Sequence, residues 1–176
     1  MYRRAIAPFI LLLAVTLTTL ALTAGCGSGK PSTRLLESEK RLAGMYEACQ
    51  KIKIVDGASR NTVTVAQVKG MPHTEFSAVL KRSNGMTKTN TWGGTPLSGV
   101  LAAGGVNSAF KELRVQAWDG YVGRVSYDIA MKPDTILAYV MDGKPLPRDD
   151  GPVRLVAASQ DGFYWIRMIT EIEVER

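Results

Sequence analysis

Histidine and cysteine are nearly missing from this chain. One histidine, His73, and two cysteines, Cys26 and Cys49, occur in 176 residues. A metal site built mainly on histidine is excluded by that count. No CxxC pair or His/Cys cluster has the spacing of a zinc site. No cysteine occurs anywhere from 50 to 176. GxGxxG, Walker loop and internal repeat are all missing. So is a block of Lys and Arg interleaved with aromatics, so the chain has no nucleic-acid footprint despite a formal net charge of +6. That mild basicity suits an anionic ligand or a membrane surface; ordinary surface chemistry is the simpler reading. Regular βαβ alternation is lacking too, which argues against a Rossmann fold.

What is present begins with "MYRRAIAPFILLLAVTLTTLALTAGCGSGK". Arg3 and Arg4 precede an apolar run from Ala5 to Leu22. Small residues and Cys26 follow at once, which is a secretory signal pattern. Leu22-Thr23-Ala24-Gly25-Cys26 resembles a bacterial lipobox, in which the cysteine is acylated and begins the mature chain. The expectation is a signal peptide over 1–25, a lipidated tether over 26–33 and an extracytoplasmic domain held at the cell membrane through Cys26. An uncleaved N-terminal membrane helix is the alternative, since the run is just long enough to span. With Cys26 lipidated, Cys49 is the one free thiol and no internal disulfide can form.

Apolar residues recur at near-helical spacing from 34 to 50 (Leu35, Leu36, Leu42, Met45, Tyr46, Cys49) and predict an amphipathic helix, with Cys49 as a packed thiol. Strand patterns dominate afterwards: 51–55, 62–65, 75–82, 86–92, 112–118, 121–127, 135–141, 153–158 and the long final stretch 163–175. Asp56 to Asn61 reads as a turn, and Asn84-Gly85 as a hairpin cue. Pro96 to Gly104 reads as a helix, with proline at its start and glycines at its end. His73 reads as an exposed turn residue. About nine short strands and one or two helices make the class α+β, mainly mixed or antiparallel β sheet with a few short helices. The domain is expected over 51–176.

Several residues invite chemistry. The glycines of Trp92-Gly93-Gly94 allow close approach of a ligand, and amides there or at the following helix start could hold an anion. Plain strand-to-helix punctuation is the bland reading. Arg154 and Arg167 sit in strand-like segments, where a phosphate contact or a structural ion pair would explain an arginine. Trp118, Tyr121, Tyr164 and Trp165 would either fill the core or form a partner surface.

Five stretches are specific as a set: "TVAQVKGMP" (64–72), "TWGGTPLSGVLAAGGV" (91–106), "VQAWDGYVGRVSYDIA" (115–130), "ILAYVMDGKPLPRDDGPVRLV" (136–156) and "DGFYWIRMITEIEV" (161–174). Their order and spacing resemble the molybdopterin-binding domain of the sulfite oxidase family. The resemblance implies that family's fold, with Arg82, Trp92, Gly93, Gly94, Tyr121 and Arg167 facing a molybdopterin or another small anionic ligand. It also exposes two departures. The family's molybdenum-ligating cysteine would fall at or near Arg82, and a guanidinium has no acceptor to offer a metal. In Gly162-Phe163-Tyr164-Trp165-Ile166-Arg167, Tyr164 stands where the family carries a cofactor-holding arginine. The expected protein is therefore a membrane-anchored lipoprotein with an oxidoreductase-like domain that binds a ligand or protein partner without catalysis. A molybdopterin-dependent oxidoreductase with an altered metal shell is the alternative.

Overall fold

The computed structural model describes residues 33–81 and 85–176. The expected signal peptide, Cys26, nearly all of the tether and Arg82 lie outside them. The first element is helix α1 (Thr33–Ala48), which has no fully buried residue. It is held to the body by Arg41 over the Trp118 ring, at 5.7 Å, and by Arg148 over Tyr46, at 5.8 Å. Cys49, just beyond it, is completely buried.

Two five-stranded sheets follow. In the first, β1 (Lys51–Asp56) pairs antiparallel with β2 (Ser59–Thr64) and parallel with β10 (Ile169–Glu175). β10 in turn pairs with β5 (Glu112–Ala117), and β5 with β6 (Val122–Ser126), both antiparallel. The order β2-β1-β10-β5-β6 puts the last strand of the chain in the middle of the sheet. In the second sheet, β3 (Thr74–Lys81), β4 (Thr87–Pro96) and β7 (Thr135–Met141) run side by side. β7 then meets β8 (Lys144–Pro145) and β9 (Arg154–Ala157). Three short helices punctuate the strands: α2 (Val65–Lys69), α3 (Leu97–Ala103) and α4 (Tyr127–Ala130).

Alternation decides which faces are buried. In β1, Ile52 and Ile54 point inward while Lys51 and Lys53 stay in solvent. The inward faces of the first sheet join Leu97, Val100 and Leu101 of α3 in one large core. A smaller core gathers Ala78, Trp92, Ile136, Val156 and Trp165 between the strands of the second sheet. This smaller core carries the site.

Four sequence expectations are corrected. Val65 opens α2 instead of ending a strand, because Thr64 and Gln67 form a reciprocal capping box that starts a helix there. The turn after β1 is only Gly57-Ala58, since Ser59 already pairs with Asp56 and Gly57 takes φ 57°. The strand expected to end at Trp92 runs to Pro96, with a bulge between Gly93 and Gly94. The final stretch is not continuous strand: a 3₁₀ turn spans Gly162–Tyr164, Met168 adopts φ 52°, and β10 starts only at Ile169. That left-handed residue breaks the alternation which the sequence suggests across it.

Candidate functional site

A cavity of about 1080 Å³ opens beside the smaller core. Its walls come from separate parts of the chain: the β3–β4 hairpin (Leu80, Lys88, Asn90), the β5–β6 turn (Asp119, Tyr121), a 3₁₀ turn over Arg148–Asp150 (Asp149, Asp150) and Asp161 before the 3₁₀ turn Gly162–Tyr164. Trp92, Trp165, Arg154 and Arg167 complete it. Such a volume is at the upper end for a small-molecule or cofactor site.

The two tryptophans meet edge to face, with centroids 5.4 Å apart. Trp165 Nε1 donates to Ala157 O at 3.0 Å and Gln160 O at 3.2 Å. Trp92 is 1% exposed, and its Nε1 has no acceptor among the described residues. A buried indole N–H without an acceptor costs stability. The Arg154 guanidinium lies over the Trp92 ring, 5.5 Å from its centroid. Its Nη1 reaches Asp150 Oδ1 at 3.0 Å, and both side chains of that pair are nearly buried. Arg167 Nη1 is 3.7 Å from the same carboxylate oxygen, but its side chain is half exposed. Asp150 therefore serves two arginines, one nearly buried and one half-exposed, whose Nη1 also donates to Asp149 O at 3.5 Å. β9 carries Arg154 and an isolated bridge places Arg167 beside it, so the fold itself sets the two side by side.

Asp142 braces the neighbouring wall. Its carboxylate accepts from Thr91 N at 2.8 Å and from the Asn90 side chain. These bonds hold its carboxyl below the usual carboxylate value, the Thr91 amide contributing most. Asp142 sits at φ 51° in the β7–β8 turn, a left-handed conformation that aspartate adopts more readily than most residues.

The residues singled out in the sequence fall into three groups. Trp92, Tyr121 and Arg167 line the cavity together. Gly93 and Gly94 lie next to it but inside the sheet, where β4 is paired on both sides. A Cβ on Gly94 would stand 2.2 Å from Leu137 O and 2.6 Å from Ala138 Cα; one on Gly93 would stand 2.8 Å from His73 Cε1. Those glycines admit protein rather than empty space on that side. Arg82 lies outside the described residues. Asp119, Asp150 and Asp161 each precede a glycine and Asp149 precedes Asp150, so in the sequence all four look like ordinary turn residues and none was singled out. His73 is exposed as expected, yet its Nδ1 lies 3.0 Å from the Tyr139 hydroxyl. Of the four aromatics, Trp165 is buried and Tyr121 is 46% exposed, so the four do not make one exposed surface.

The oxidoreductase molybdopterin-binding domain model matches residues 51–176. The chain belongs to that family. Mouse mitochondrial sulfite oxidase is 33% identical over 131 residues, covering 65% of this chain and 24% of the relative. The human enzyme is 28% identical over 142 residues, covering 74% and 24%. Nitrate reductase (NADH) 2 of Phaseolus vulgaris is 28% identical over 144 residues, covering 61% and 16%. The chain thus spans about a quarter or less of the length of these curated relatives. In structure it is similar to the sulfane dehydrogenase SoxCD of Paracoccus pantotrophus, with a TM-score of 0.64 and 21% identity over 72% of this chain and 39% of that one. The sulfite-oxidase-type domain and the α+β fold read from the sequence stand on these matches.

The cavity can be tested against the group the family name implies. Its size, the uncommitted Trp92 N–H and the half-exposed Arg167 suit an organic ring system with acceptor and anionic groups. A thiolate-held metal does not fit. Cys49 is the one cysteine among the described residues, and it does not line the cavity. Its Sγ lies 3.9 Å from Met168 Sδ, and burial pushes its thiol up to about 11. No further cysteine follows it in the sequence.

Proposed function

We propose that the protein is a membrane-anchored, extracytoplasmic lipoprotein whose molybdopterin-type domain binds an organic ligand and does not carry out chemistry at a thiolate-held metal. The observation that carries this reading is the cavity's lining of two tryptophans, two arginines and four carboxylates, with no thiol in the domain and Cys49 just before it sealed in the core. The ligand class is a molybdopterin or a related planar heterocycle with an anionic substituent, received by Arg167 and the Trp92 N–H. The anchor rests on the signal pattern and Cys26.

The test uses the full chain, expressed with its signal in a bacterium that makes molybdenum cofactor and purified from membranes in detergent. Molybdenum is measured per protein by elemental analysis, and bound pterin by the fluorescence of its oxidised form. The expected result is pterin without stoichiometric molybdenum. Near-stoichiometric metal would overturn the non-catalytic reading and favour an oxidoreductase with a non-cysteine metal shell. Intact-mass measurement of the same sample reports acylation at Cys26, and an unacylated chain refutes the anchor alone.

A further inference from the structure

We propose that the first turns of α1 and the β5–β6 turn form one face that docks on a lipid bilayer. Exposed large hydrophobic side chains gather in these two places: Leu35 and Leu36 in α1, at 57% and 50% exposure, and Tyr121 and Val122 where β6 begins, at 46% and 36%. The two places adjoin. Arg41 of α1 lies over the ring of Trp118, which opens that turn. Leu36 comes five residues before Arg41, about 8 Å along the helix axis. Ala117 N donates to Tyr121 O at 2.8 Å, which closes the turn around Trp118 and keeps Tyr121 beside it. Every residue of α1 from Thr33 to Arg41 is exposed. Single exposed apolar residues are ordinary, but a group of them rimmed by polar residues marks a contact face.

The chain before α1 selects the occupant. Thr33 follows Cys26 by seven residues, and seven residues of any conformation span at most about 25 Å. This step rests on the membrane anchor of the proposed function. The alternative anchor, an uncleaved apolar run ending at Leu22, lies only four residues further back. Either one brings the leucines of α1 to a bilayer surface. Arg34, Lys40 and Arg41 are nearly balanced by Glu37 and Glu39, so burial of apolar surface drives the contact rather than attraction to anionic lipid. Tyrosine suits the headgroup level, where its ring and hydroxyl both find partners. Tyr121 also lines the large cavity. Docked in this way, the domain holds one rim of its cavity at the membrane surface and takes up its ligand there.

Met131 supplies the control. It is 41% exposed and apolar, but it follows α4 at the far end of β6. That strand alone puts about 13 Å between Val122 and Ser126. The full chain carries one new cysteine at a time: Leu36→Cys, Val122→Cys or Met131→Cys. Each variant is labelled with an environment-sensitive dye and reconstituted in phosphatidylcholine vesicles that contain a doxyl-labelled phosphatidylcholine as quencher. Cys49 is completely buried, and the native chain labelled in parallel gives any background from Cys26. The expected result is about twofold quenching of the dyes replacing Leu36 and Val122 and none of the dye replacing Met131. Raising the salt to about 0.5 M should leave this contrast unchanged, because screening acts on charges and not on apolar burial. Leu35→Gln with Leu36→Gln, added to the Val122→Cys chain, should release its dye from the quencher; both leucines are exposed, so the fold is kept. Four outcomes would each overturn the proposal: a Leu36 dye quenched no more than the Met131 dye, a contrast lost in salt, a Val122 dye indifferent to the leucine changes, and a chain that does not float with the vesicles. Labelling of Cys26 in the native chain refutes acylation alone, since the contrast between Leu36 and Met131 still reads docking in that sample.

Discussion

Gly94→Ala measures whether the Trp-Gly-Gly stretch serves packing. The new Cβ would lie 2.2 Å from Leu137 O, 2.7 Å from Leu137 C and 2.6 Å from Ala138 Cα. All three are backbone atoms of a fully buried part of β7, which is paired on both sides there. None can turn aside as a side chain does, so β4 and β7 must separate at the bulge. Overpacking of that kind costs about 3 kcal/mol. For a domain of this size that lowers Tm by about 10 °C. Gly93→Ala is the internal control. Its Cβ would meet His73 Cε1 at 2.8 Å and Nε2 at 3.0 Å, the far end of an exposed side chain. His73 can swing away at the loss of its contact with Tyr139, about 1 kcal/mol. In a His73→Ala background, the cost of Gly93→Ala should therefore fall to the mild crowding of Val140 Cβ, 3.3 Å away. The assay is urea unfolding followed by tryptophan fluorescence, with thermal melts alongside. A Gly94→Ala chain within about 1 kcal/mol of the native one, or a Gly93→Ala cost that persists without His73, would refute the packing argument.

Three further outcomes are expected. Arg154→Met should cost about 2 kcal/mol in chemical denaturation, because it leaves the nearly buried Asp150 carboxylate with only the longer, half-exposed Arg167 pair. Arg167→Met, in a half-exposed pair, should leave stability almost unchanged while weakening pterin retention in the purified protein. Cys49 should resist iodoacetamide at neutral pH until the chain unfolds. The folded state also keeps a proton that the unfolded chain releases, so stability should fall from near pH 9 up to about 11, by about 1.4 kcal/mol per pH unit. Cys49→Ala should remove that alkaline slope. Asp142 has the opposite sign. Its carboxyl titrates below the ordinary value of 3.8, so its contribution is present above that pH and is lost as pH falls through the lowered value. Asp142→Ala should remove that part of the acid unfolding limb, read from urea midpoints across acid pH.

The strands were legible because half-buried strands alternate. β1 could be read from Lys51 to Val55 without any neighbour in view, and β5, β7 and β9 lie within a residue or two of the stretches that suggested them. α2 and α4 were not, since helices of five and four residues have no periodicity to detect. Their signal is the capping pair Thr64/Gln67 in one case and a bare turn in the other. The break at Met168 is set by tertiary contacts. Its carbonyl accepts from Trp118 N at 2.8 Å, and its sulfur packs where a Gly151 Cβ would lie. The site was half visible. Trp92, Tyr121 and Arg167 carry unusual chemistry for their positions and draw notice alone. The pairing of Asp150 with Arg154 and Arg167 appears only when a 3₁₀ turn, β9 and the following bridge are brought together. The bulge at Gly93-Gly94 could not be told from a turn by composition, because glycine serves both.

The placement of β10 between β1 and β5 makes the first sheet depend on a strand far along the chain from the two it joins. Until Ile169–Glu175 arrive, β1–β2 and β5–β6 are two separate hairpins, each marginal in water and each with an open apolar face. Closing them together joins segments over a hundred residues apart, which makes for slow, late folding. A chain cut a few residues short would thus lose half its architecture rather than a frayed end.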